Sequence, residues 1–141
     1  MSFRSSKRLL QALFAALGVV PILTGLFAVL TGPGGQVDGE AVNASVESEF
    51  RFFASLWIAF GAVALWVAPR VDRETRVVRA LALILFSAGL ARAIAWIAAG
   101  TPHWSFLLLL CLELLLPPLI LYLQAQLLRA RAAQDAGVSG T

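Results

Sequence analysis

The stretch Leu107-Leu108-Leu109-Leu110-Cys111-Leu112-Glu113-Leu114-Leu115-Leu116-Pro117-Pro118-Leu119-Ile120-Leu121 carries one charge, Glu113, in an otherwise apolar sequence. It lies inside a longer apolar run, Ser105 to Leu128, and a membrane-spanning helix needs about 20 such residues. Three more runs meet the same length, giving expected helices at about 9–30, 50–68, 77–99 and 105–128. The composition agrees: 60% of the 141 residues are apolar and 13% charged, against roughly 45–50% and about 25% in soluble domains. The fold class expected is all-α, a four-helix transmembrane bundle forming a single domain over 1–141. The segments between the runs are too short to bury a core of their own. The small, polar stretch 130–141 reads as a mobile cytoplasmic tail.

The net charge of +3 is distributed at helix ends. Arg4, Lys7 and Arg8 precede the first run, Arg70, Arg73, Arg76 and Arg79 surround the connection between the second and third, and Arg129 and Arg131 follow the fourth. With four alternating helices these all fall on one side, facing loops that carry Asp38, Glu40 and Glu47 in the first and only His103 in the second, with no lysine or arginine outside the helices. The positive-inside rule then places both termini in the cytoplasm. No basic face interleaved with aromatics is present, so a nucleic-acid partner is not expected. The first apolar run is longer than the roughly 7–15 residues of a secretory signal core, so it is read as a retained helix. The bias toward Ala, Leu and Arg points to a bacterial source and an inner-membrane location.

Glu113 has a counterpart in Arg92, which follows Phe86-Ser87-Ala88-Gly89-Leu90-Ala91 in the third run. A charge at bilayer depth costs about 2.5–3.5 kcal/mol on insertion scales. The short turn Gly100-Thr101-Pro102-His103 makes the third and fourth helices an antiparallel hairpin. Arg92 lies ten residues before Pro102 and Glu113 eleven after it, so both descend about 15 Å at 1.5 Å per residue. An ion pair is expected. Pro117 and Pro118 lack the amides that would bind the carbonyls of Glu113 and Leu114, and the guanidinium of Arg92 is expected to serve one of these as well as the carboxylate. Gln124, eleven residues beyond Glu113, shares its helix face. Glu49 and Arg51, at the start of the second helix, are candidates to cap the node from outside. This polar node is either structural, fixing helix register, or a binding site for a proton, a lipid headgroup or a small polar ligand.

On the first helix Gln11, Gly18, Gly25 and Gly32 recur at seven-residue steps and form a face for close packing. Ser55, Ala59 and Ala62 suggest a small face on the second. Asn43-Ala44-Ser45 fits a glycosylation acceptor pattern but reads as chance in a turn-rich loop.

The segment Glu49-Phe50-Arg51-Phe52-Phe53 leading to Gly61, the Gly89-Leu90-Ala91-Arg92 stretch, the turn with Gly100 and Pro102, and Leu112-Glu113-Leu114 resemble the domain-of-unknown-function 4345 family, small bacterial four-helix membrane proteins. The resemblance covers about residues 9–128. A Tyr-Gly-Gly run that often follows the Glu-x-Arg element is here Phe53-Ala54-Ser55. The resemblance implies fold and topology and brings no activity.

No catalytic, metal or cofactor set emerges from the residues. His103 and Cys111 are single, which removes bis-histidine haem, paired-thiol chemistry and zinc. The residues favour a non-enzymatic protein, either an accessory subunit of a membrane complex or a binder of a lipid-like or quinone-like amphipathic ligand through the Arg/Glu node. The alternative is a small proton-coupled carrier or membrane enzyme using Glu113 as its ionisable group.

Overall fold

The computed structural model describes residues 3–138, with side chains over 4–133. Four helices follow one another: α1 (Phe3–Thr31), α2 (Ala44–Val67), α3 (Thr75–Ala99) and α4 (Trp104–Val138). No strand occurs among the described residues. Each helix is long and apolar enough to cross a membrane. Large apolar side chains such as Leu23, Leu30, Leu83, Ile97 and Leu115 are exposed, an arrangement suited to lipid rather than water.

The helices outrun the apolar segments that announce them. Hydropathy marks the part suited to hydrocarbon, whereas helix propensity continues through polar residues of the Ala, Arg, Gln type. Thus α4 passes Leu128 and continues to Val138, so most of the expected tail 130–141 is helical; residues 139–141 lie outside the described residues. Similarly, α2 begins at Ala44 because the Asn43 side chain accepts hydrogen bonds from the amides of Ser45 and Val46, both at 3.1 Å. Asparagine is among the preferred residues for this cap.

Two compact units are present. One is Leu13–Ala68; the other joins the chain before and including Ala12 to the chain from Pro69 onward. Within the first, Gly18 and Gly25 of α1 are buried against α2. A Cβ on Gly61 of α2 would lie 2.6 Å from the carbonyl oxygen of Gly18, so the two backbones approach as only glycine permits. The buried face of α2 is therefore Ala54, Phe60, Gly61, Ala64 and Val67. Ser55, Ala59 and Ala62 are exposed instead, because the contact follows the register of Gly61. Trp57 donates to Thr24 Oγ1 at 3.2 Å and stacks on Phe60.

In the second unit α3 and α4 pack as the antiparallel hairpin, with α3 closed by Gly100 (φ 95°). At the far end, Lys7 Nζ pairs with Asp72 Oδ2 at 3.0 Å, and Arg131 donates to the Asp72 carbonyl at 3.1 Å. The start of α1, the 71–74 connection and the later part of α4 thus share one end of this unit. Burial raises the Asp72 pKa, but the Lys7 hydrogen bond, its own backbone amide and the charges of Lys7 and Arg131 outweigh that, leaving it below the ordinary carboxylate value.

Candidate functional site

Arg92 on α3 and Glu113 on α4 are in direct contact. The Nε of Arg92 donates to both carboxylate oxygens, at 3.0 Å to Oε1 and 2.8 Å to Oε2. The pair is possible because the two helix backbones come close just there: a Cβ on Gly89 would fall 3.1 Å from the Cβ of Glu113 and 2.8 Å from Leu114 Cδ2. Glycine one turn before Arg92 lets α4 approach, and the carboxylate is carried under the arginine stem. Glu113 is enclosed, its side chain 4% exposed, while that of Arg92 is 35% exposed.

This asymmetry defines the site. Arg92 engages Glu113 through Nε alone, leaving the four N–H bonds of Nη1 and Nη2 without a hydrogen-bond acceptor among the described residues. The expected bond from Arg92 to a carbonyl freed by Pro117 or Pro118 does not form. Instead the guanidinium extends toward the α3–α4 turn, as a long cationic side chain does when its polar end seeks the interface. Its Cζ lies 5.7 Å from the ring centroid of Phe106. There it borders a cavity of about 330 Å³ walled by Trp96, Thr101, Pro102, Phe106, Leu107 and neighbouring residues. The Trp96 indole donates to Thr101 Oγ1 at 3.3 Å, fixing one wall. His103 holds the start of α4, its ring nitrogen 2.9 Å from Ser105 Oγ.

Gln124 belongs to the same unit and is 1% exposed, with its Nε2 lacking a partner among the described residues. Eleven residues of helix correspond to about 16 Å of rise, so a shared face with Glu113 does not bring the two side chains together.

Arg51 and Glu49 belong to the other unit. Arg51 is held by Glu47, one turn earlier, through Nε at 2.9 Å and Nη2 at 2.6 Å. Its Nη1 donates to the Val29 carbonyl, so α2 supplies a donor to one of the unpaired carbonyls at the end of α1. Glu49 is exposed and makes no ion pair among the described residues. The partner of Arg51 is therefore Glu47, a residue four positions away on the helix, which is the spacing at which side chains meet. That spacing was the available signal.

Comparison with curated proteins and with solved structures finds no match. A family model does match, over residues 9–124, a span that includes Glu47, Arg51, Arg92, Glu113 and Gln124. The chain belongs to the family described as Domain of unknown function (DUF4345).

Proposed function

We propose that this protein is an integral protein of the bacterial inner membrane, with both termini cytoplasmic, that binds an amphipathic ligand whose oxygen-bearing head sits on Arg92. One observation carries the proposal: the guanidinium spends a single nitrogen on Glu113 and turns its other donors toward an aromatic-walled cavity. Those donors border the cavity, so an oxygen acceptor that enters it meets charge-assisted hydrogen bonds. Because the ion pair is neutral overall, a carboxylate, a phosphate or a carbonyl oxygen can each supply that acceptor, and exposed apolar residues such as Ile97 and Trp104 suit a hydrocarbon tail. The basic end gathered around Asp72 supports the inward orientation.

A proton-coupled role for Glu113 has less support, since both its oxygens are engaged by Arg92 and its side chain is enclosed.

Trp96 lines the cavity and serves as a reporter. In the full chain with Trp57, Trp66 and Trp104 replaced by Phe, titration with 2-bromopalmitate and with a long-chain quinone is expected to quench Trp96 saturably with at least one probe. Arg92→Gln should remove that quenching. Absence of saturable quenching by either, or equal quenching in Arg92→Gln, would refute the assignment. Co-purification of a stoichiometric protein with an unquenchable Trp96 would favour the accessory-subunit reading.

A further inference from the structure

A second concavity lies on the same helix pair, toward the opposite end. It measures about 540 Å³ and is walled by Ala82, Leu83 and Phe86 of α3 and by Pro117, Pro118 and Leu121 of α4, with Arg79 as its single charged residue. Arg79 and Arg92 stand thirteen residues apart on α3, about 20 Å along the axis, so this is not an extension of the Arg92 site. Proline has no amide hydrogen, which leaves the α4 wall without backbone donors at two successive positions. From Phe86 to Arg79 the groove runs about 10 Å along α3, apolar throughout and cationic at its end.

We infer that this groove seats one acyl chain of an anionic phospholipid, with the headgroup phosphate on Arg79. Charge complementarity selects the occupant. Arg79 is exposed and has no ion pair or hydrogen bond among the described residues, and α3 contains no acidic residue to neutralise it. Arg73 and Arg76, both exposed, precede it by two turns or less, while Asp72 is already bound by Lys7. The polarity of the groove, a cation at one end followed by six apolar residues, has the head-to-tail order of a phospholipid whose head lies at the basic end of the hairpin. A protein helix in the same groove would meet an unpaired arginine with no assigned counterpart.

The test is native mass spectrometry of the delipidated full chain, back-titrated with phosphatidylglycerol and with phosphatidylcholine of identical acyl chains. One phosphatidylglycerol per chain should bind in preference to phosphatidylcholine. Arg79→Gln should weaken phosphatidylglycerol binding about fivefold, the amount associated with one cation at an anionic surface, and weaken phosphatidylcholine binding less, because the choline already offsets that lipid's phosphate. Leu83→Trp, at an exposed wall position, should obstruct the groove and lower phosphatidylglycerol binding, whereas Arg73→Gln removes an equal charge outside it and should have a smaller effect. Equal binding of the two lipids, equal effects of Arg79→Gln and Arg73→Gln, or no effect of Leu83→Trp would overturn the assignment.

Discussion

The unequal exposure of Arg92 and Glu113 predicts unequal consequences when either is removed. Truncating one partner of a buried pair costs about 3–5 kcal/mol, because the other charge is left without compensation. In Arg92→Leu the survivor is Glu113, whose side chain is 4% exposed, so the full range applies. In Glu113→Leu the survivor is Arg92, 35% exposed and already directed toward the turn. Its charge retains access to a polar surface, and the loss falls to that of a charged hydrogen bond, about 1.5–3 kcal/mol. The double variant Arg92→Leu with Glu113→Leu leaves no orphan and should cost less than Arg92→Leu alone. The assay is reversible unfolding of the full chain in bicelles, with a double-mutant cycle yielding a coupling above about 1 kcal/mol. Equal costs for the two single variants, or a coupling indistinguishable from zero, would show that the burial of Glu113 does not set the energetics of the pair.

Gly61→Val should destabilise the protein by about 3 kcal/mol, the upper part of the overpacking range, since the new Cβ meets the Gly18 carbonyl; bicelle unfolding measures it. Arg51→Ala should cost about 1–2 kcal/mol in the same unfolding assay through loss of bonds to Glu47 and the Val29 carbonyl, while Glu49→Ala stays within about 0.5 kcal/mol. Acidification tests the Lys7–Asp72 contact. With its folded pKa lowered, Asp72 contributes stability above its unfolded pKa and loses it as pH falls through the lower folded value. Hydrogen exchange in residues 70–75, corrected for the intrinsic pH dependence, should therefore rise on acidification below the ordinary carboxylate range, and Asp72→Asn should show the faster exchange already at neutral pH.

The four helices were legible because each is announced by an apolar run of spanning length, and the Arg92–Glu113 contact followed from counting residues outward from Pro102. What escaped has local causes. Asn43 reads as part of a loop because capping depends on backbone geometry that composition does not reveal, and α2 accordingly starts six residues before its apolar run. Glu49 stands nearer to Arg51 in sequence, but only Glu47 has the four-residue spacing at which helix side chains meet. The packing face of α2 is not legible from composition, because Ser55, Ala59 and Ala62 resemble a small stripe whereas the decisive contact is the single glycine at 61. The direction of the Arg92 guanidinium is a rotamer choice, set by the cavity beside it and by the room Gly89 makes for Glu113, and no periodicity encodes it.

Whether Arg92 holds the head of an amphipathic ligand is read by native mass spectrometry of the full chain released from mild detergent, with dissociated small molecules identified by fragmentation. A molecule with an oxygen-bearing head and a hydrocarbon tail should be retained by the wild-type chain, unchanged in Arg79→Gln and lost in Arg92→Gln. A bare wild-type chain, or a molecule retained equally when Arg92 is replaced, would contradict that role for Arg92.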